Sequence, residues 1–175
     1  LFLGGHPMAG KEVSGFISSD ATLYENASMI LTPDKNFPQP TLEQAKTFFL
    51  SLGFDRITVT TPEHHDKVIA YTSQMAHVVS NAYMQSPTAL EHMGFSAGSF
   101  ADLTRVAKLD ETMWTELFLE NQQSLVDELD IILNNIAKFR DLIKEGDETA
   151  LKAKLKIGSD LKKKLLQKRE EQTHE

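Results

Sequence analysis

The stretch Leu125-Val-Asp-Glu-Leu-Asp-Ile-Ile-Leu-Asn-Asn-Ile-Ala-Lys-Phe-Arg-Asp-Leu-Ile143 decides the class of fold. Its apolar residues Leu125, Leu129, Ile132, Ile136, Phe139 and Ile143 recur at steps of 4, 3, 4, 3 and 4, which is a heptad seam on a helix. Val126, Leu133 and Leu142 widen that surface beyond one stripe, and a helix apolar over so wide an arc contacts more than one neighbour. Upstream, Asp110 is expected to cap this long helix. Downstream, Gly146-Asp147 breaks it, and a last helix follows with Leu151, Leu155, Leu161 and Leu165. From residue 98 onward the pattern is almost entirely helical.

Toward the N-terminus the period changes. An apolar stretch ending in Gly4-Gly5-His6-Pro7 reads as a strand running into a loop, and Ala27 to Thr32 as a strand stopped by Pro33. Gly10 and Gly15 mark turns. Thr41 is expected to cap a helix, with Gln44 three positions on in a capping box and Gly53 at its end. Arg56 to Thr60 is β-branched and alternating, hence a strand. Thr61-Pro62-Glu63 then opens a helix, with proline in its first turn, that runs to about Met84. The expected fold is mainly α, with a short α/β lead-in over residues 1–60 followed by an all-helical domain over residues 61–175.

The bulk composition bounds the function. Hydrophobic residues make up 41% and charged residues 25% of the 175, as in ordinary water-soluble domains. No apolar run approaches the roughly 18 to 20 residues that span a bilayer, so no membrane partner is expected. Cysteine is absent, which excludes disulfides, thiol nucleophiles and Cys-ligated metals and is compatible with a reducing cytoplasm. The chain lacks an initiator Met and is expected to start inside a longer protein. The net charge of −7 divides into +4 for residues 151–175 and −11 for the rest. The basic tail has no aromatic residue and lies on an apolar-periodic helix, so it reads as a solvated face rather than a nucleic-acid site.

No Gly-x-Gly-x-x-Gly follows a strand and no Gly-Lys-Ser/Thr loop is present, so the chain is not expected to hold a dinucleotide by itself. His64-His65-Asp66 is rich in ligand atoms, but adjacent helical residues point in different directions, so the plain reading is a solvated helix start and no metal is expected. Three polar positions are harder to explain as scaffold. His6 lies between Gly5 and Pro7, just past a strand, where α/β folds carry sites; a surface histidine is the plain alternative. His77 sits among Met75, Ala76, Val78 and Val79, where a lone histidine is as often a hydrogen-bonded core residue as a functional one. Arg105, between Leu103-Thr104 and Val106-Ala107, is expected to project from a semi-buried turn. Its guanidinium needs a partner, either Asp102 or a ligand carboxylate.

These positions fall within strings that resemble one family, the prephenate dehydrogenases. The strings are Gly4-Gly5-His6-Pro7-Met8-Ala9-Gly10 with Glu12 and Gly15, His65-Asp66 with Ala70-Tyr71-Thr72-Ser73, and His77-Val78-Val79. They continue with Gly98 to Ala107, containing Asp102-Leu103-Thr104-Arg105, then Met113-Trp114 and Leu119-Glu120-Asn121. The resemblance covers about residues 1–145. It implies that residues 1–60 are the end of a Rossmann-type nucleotide-binding domain and that residues 61–175 form a substrate-binding and dimerisation domain of an intertwined homodimer. The implied reaction is oxidative decarboxylation of prephenate to 4-hydroxyphenylpyruvate with NAD, in tyrosine biosynthesis. His6 resembles the residue that takes the proton of the ring 4-hydroxyl, and Arg105 resembles the carboxylate-binding arginine. His77 resembles a second pocket histidine, Glu12 a gating or ion-pairing residue, and Trp114 a pocket wall or core residue. One departure stands out: many members read Ser-His-Leu-Pro-His where this chain has Ser73-Gln74-Met75-Ala76-His77.

Two other readings compete. The same machinery can serve arogenate, or both substrates. The heptad seam alone would equally suit a helical dimerisation module with no catalytic role. A pure oligomerisation module, however, has no need of the His-Pro-Met string or of Arg105 beside an apolar turn.

Overall fold

A computed structural model describes residues 1–11, 13 and 15–173; Glu12, one of the expected site residues, lies outside them. Residues 1–125 and 126–175 form two compact units.

The first unit is built on a three-stranded sheet, ordered β1 (Leu3–Pro7), β2 (Ser28–Pro33) and β3 (Arg56–Val59). The central strand β2 pairs antiparallel with β1 and parallel with β3. Met29 and Leu31 point to one face of β2, where they meet Leu42 of α1 (Gln39–Ser51) and Phe54 in a buried cluster. Alternation along a strand sends Ile30 and Thr32 to the other face. His6 lies opposite Ile30 in the register and Gly4 lies opposite Thr32, so both belong to that second face. A methyl group on Gly4 would run into Thr32 Oγ1 there. The sheet therefore packs one face on α1 and presents His6 on the other.

Two details differ from the sequence expectation. His6 lies within β1 rather than in a loop beyond it; β1 is an edge strand, where the missing amide of Pro7 costs no ladder hydrogen bond. Helix α1 starts at Gln39, with Pro38 extended before it and Pro40 inside its first turn, so Thr41 is not its cap and no capping box forms. Gly53 ends α1 as expected, with a positive φ of 97° just past the C-cap residue Leu52.

After β3, Thr61 caps α2 (Pro62–Ile69) by accepting from the His64 amide. A π turn over Ala70–Gln74 follows without a break, and α3 (Met75–Met84) continues from it. Next come a 3₁₀ turn at Pro87–Glu91 and α4 (Gly98–Thr104). Asp110 then caps α5 (Glu111–Glu120) by accepting from the Met113 amide. The expected single long helix is interrupted at Asn121, after which α6 (Gln122–Glu145) begins.

The second unit holds the rest of α6 and α7 (Glu148–Thr173), joined where Gly146 takes a positive φ of 68°. Lys154 ties the two helices together, donating to Asn135 Oδ1 at 2.7 Å and lying 5.6 Å from the Phe139 ring centre. Much of the apolar seam is open: Ile136 is 53% and Ile143 64% exposed, as are Leu155 at 54% and Leu161 at 61% on α7.

Candidate functional site

His6 reaches α2 from the open face of the sheet. Its Nδ1 is 2.9 Å from Nε2 of His65, with the rings edge to face at 5.1 Å. His65 Nδ1 is in turn 2.8 Å from Oδ1 of Asp66. A carboxylate oxygen only accepts, so His65 donates from Nδ1 and its neutral Nε2 is an acceptor. His6 must then donate from Nδ1, which leaves its own Nε2 as the basic atom. Burial, and secondarily the neighbouring His65, hold the pKa of His6 below the usual 6.5, so its neutral form is favoured at neutral pH. The expectation of solvated residues at 64–66 holds for His64, which is exposed, and fails for His65, which is half-buried against His6. No group of three His, Cys, Asp or Glu among the described residues is arranged to hold a metal.

The continuous run α2–π turn–α3 leads away from this pair. Ile69 and Ala70 are buried, and so are Gln74 and Met75 five positions later, a spacing suited to the wider π turn. Gln74 donates from Nε2 to the Leu117 carbonyl at 2.9 Å and accepts at Oε1 from Asn121 Nδ2 at 2.8 Å. Asn121 Nδ2 also donates to the Asp66 carbonyl at 2.8 Å. One side chain at the α5–α6 break thus braces both the π turn and the turn that carries His65 and Asp66.

A second cluster forms around His77 on α3. Its Nδ1 donates to the Ser73 carbonyl at 2.9 Å, which leaves Nε2 as the acceptor of the neutral ring. Trp114, in the first turns of α5, stacks on the imidazole with ring centres 3.8 Å apart, and Phe118 backs the indole at 5.4 Å. Ser80 and Asn81 share the His77 face at i+3 and i+4. Ser80 Oγ donates to the Leu103 carbonyl at 2.7 Å and Asn81 Nδ2 to the Ala107 carbonyl at 3.2 Å. Arg105, at the C-terminus of α4, lies between these two pins. It is exposed, not semi-buried as its apolar neighbours suggested, because the segment is fastened through backbone carbonyls and the side chain is left outside.

His77 and Trp114 are therefore in direct contact, and the Arg105 segment is fastened to the helix face that carries His77. His6 is paired elsewhere, with His65. Sequence reasoning did not single out Gln74 and Asn121 as braces or His65 as the partner of His6. These contacts join residues 43 to 59 positions apart, and local patterns do not report such pairings.

Residues 1–58 match the family model described as the prephenate dehydrogenase nucleotide-binding domain, and residues 61–157 match the prephenate dehydrogenase dimerization domain. The prephenate dehydrogenase of Bacillus subtilis is 31% identical over 164 residues, covering 91% of this chain and 44% of that protein. The cyclohexadienyl dehydrogenase of Zymomonas mobilis is 33% identical over 153 residues, covering 84% of this chain and 52% of that protein. Among solved structures, prephenate dehydrogenase from A. aeolicus in complex with hydroxyphenyl propionate and NAD+ superposes with a TM-score of 0.79 at 31% identity, covering 94% of this chain and 59% of that one. The chain spans about half the length of the curated relatives it matches. With both its sheet-bearing and its helical segments matched by the two domain models of one family, the chain belongs to the prephenate dehydrogenases.

Proposed function

We propose that this chain is the substrate-binding and dimerisation part of an NAD-dependent dehydrogenase that oxidatively decarboxylates prephenate to 4-hydroxyphenylpyruvate. Within it, residues 1–60 belong to the nucleotide-binding domain and residues 61–175 to the helical one. The observation that carries the reading is one continuous helical run with His65, bonded to the His6 imidazole, near one end, and at the other the His77–Trp114 stack, with the Arg105 segment fastened to the same helix. From His65 to His77 the α2–π–α3 run rises on the order of 18 Å. Prephenate has a ring hydroxyl at one end and carboxylates toward the other, and this division of groups suits it.

The chain's own residues supply three functions. His6 takes the 4-hydroxyl proton on Nε2 as the C–O bond becomes a carbonyl and hydride leaves the ring. Arg105 anchors a carboxylate through its planar fork, a pairing that holds orientation as well as charge. His77, fixed by Ser73 and Trp114, presents Nε2 toward the substrate side chain, with the indole as a flat wall. Glu12 lies outside the described residues, and the role that the resemblance implies for it is gating or pairing with a basic group. These residues do not make a pyrophosphate cradle. The sequence has no Gly-x-Gly-x-x-Gly, and methyl groups on Gly4 and Gly5 would meet Thr32 and Met29 side chains rather than open space. Tight dinucleotide binding is accordingly assigned to other parts of the enzyme. The relation to a cyclohexadienyl dehydrogenase supports a second reading, in which arogenate is accepted as well.

The test is steady-state kinetics of the whole enzyme with prephenate and arogenate, comparing wild type with Arg105→Ala. Loss of a charge-assisted hydrogen bond of this kind costs about 1.5 to 3 kcal/mol, or roughly 10-fold to 150-fold in KM, with the melting temperature nearly unchanged. A large drop in melting temperature with unchanged KM would make Arg105 scaffold.

A further inference from the structure

We propose that His65 is a positioning residue for the reaction, part of an Asp66–His65–His6 relay that sets which nitrogen of His6 is basic. The proposal rests on the reading of His6 as the proton acceptor. Three observations carry it. The two hydrogen bonds, His6 Nδ1 to His65 Nε2 at 2.9 Å and His65 Nδ1 to Asp66 Oδ1 at 2.8 Å, run in series and end on an acceptor-only group. Together they admit one proton arrangement for the neutral pair: Nδ1–H on both rings and a bare Nε2 on His6. The Asp66 turn is held by a contact of its own, since its carbonyl accepts from Asn121 Nδ2 at 2.8 Å. Among the described residues, His65 is the titratable group whose charge bears on His6.

The chemistry of this arrangement is specific. Free imidazole favours the Nε2–H tautomer, so without His65 the base would hold its proton on the atom that must receive one. When His6 takes the hydroxyl proton on Nε2, its Nδ1–H stays bonded to His65, and the cation that forms faces a ring oriented by a carboxylate. No net proton leaves the relay in this step. The proton resides on His6 Nε2 until solvent removes it.

Two measurements separate the relay from the reading it rests on. In ¹⁵N–¹H spectra of the imidazoles of this chain at a pH where His6 is neutral, wild type should show His6 as Nδ1–H. His65→Leu should shift it to Nε2–H, while His65→Gln, whose Oε1 can still accept, should keep Nδ1–H. An Nε2–H signal for His6 in wild type, or no change in His65→Leu, overturns the relay whatever the activity. In the whole enzyme, His65→Leu should lower kcat by about tenfold or more with KM within about threefold, and His65→Gln should recover most of it; loss of a carboxylate that fixes an imidazole tautomer costs up to about 10⁴ in a hydrolase. A tautomer that switches as expected while kcat stays unchanged overturns the assignment of His6 as the base, and with it the catalytic use of the relay.

Discussion

Replacing Asn121 with Ala removes one amide that bonds to two elements. Its Nδ2 donates to Gln74 Oε1 and to the Asp66 carbonyl, both at 2.8 Å. The two losses differ. The Asp66 carbonyl keeps its helical partner, the Ala70 amide, so only the net value of one hydrogen bond goes, about 1 kcal/mol. Gln74 is 6% exposed, so its Oε1 is stranded away from water, at a cost of about 1 to 3 kcal/mol. Together these give about 2 to 4 kcal/mol. With an unfolding entropy of about 2.1 cal/mol/K per residue, that lowers the melting temperature by roughly 5 to 11 °C. The assay is a double-mutant cycle with Gln74→Leu, read by chemical denaturation. Removing Gln74 leaves the Leu117 carbonyl its Asn121 backbone amide at 3.4 Å, so the cycle isolates the side-chain contact. In the Gln74→Leu background Asn121→Ala should cost only about 1 kcal/mol, giving a coupling of at least about 1 kcal/mol. Equal costs in both backgrounds would refute the account, because the stranded oxygen would then not be the source.

Three further outcomes are expected. The chain should run in light scattering as a dimer, since Ile136, Ile143, Leu155 and Leu161 are all more than half exposed on two long helices; a mass near the 19.6 kDa of one chain at micromolar concentration would contradict this. The folded pKa of His6 lies below its usual 6.5, so the unfolded chain binds more protons between the two values. The stability His6 contributes is complete above about pH 6.5 and is lost as pH falls toward the folded pKa; urea midpoints of His6→Gln should be flatter than those of wild type over about pH 7 to 5, and parallel curves would exclude the linkage. Gln74→His should match wild-type stability near pH 8 and fall behind as pH drops through the histidine range, as thermal melts across that range would show. A pH-independent difference would mean that position 74 is limited by shape and not by its hydrogen bonds.

What was legible in the sequence was what local chemistry writes there. Asp110 caps a helix as its side chain was expected to, a helix opens at Thr61-Pro62 as read, and the positive φ at Gly53 and Gly146 ends α1 and α6. The alternation in β3 and the heptad steps of α6 needed only period counting. The missed start of α1 is local, set by Pro38 and Pro40, while the misses at Asn121, His6 and His65 have long-range causes. Nothing local separates Asn121 from any other helical asparagine, yet α5 stops there, where its side chain meets Gln74 47 positions away. His6 is in a strand because β1 pairs with β2, and Pro7 reads as a loop signal only until that edge is known. The His-Pro-Met string pointed to His6, while His65 was set aside because adjacent helical residues were expected to point apart. His64 does point away and is exposed, but Asp66 bonds to His65, which meets His6.

Position 74 shows why one residue type can replace another without disturbing the site around it. The family pattern that residues 73–77 resemble has histidine there, and a neutral imidazole offers one donor and one acceptor on opposite sides of a ring. Gln74 spends one donor on Leu117 and one acceptor on Asn121, the same two services. What glutamine cannot do is take a proton. A charged imidazole would turn the acceptor into a donor aimed at the Nδ2 of Asn121, and would do so in a buried position. The same Asn121 amide holds the Asp66 turn, so any push on it would travel to the carboxylate that orients His65. Glutamine in the middle of the helix does not titrate, and it stands between His65 and His77. The brace between them keeps one geometry through the pH range in which His6 changes charge.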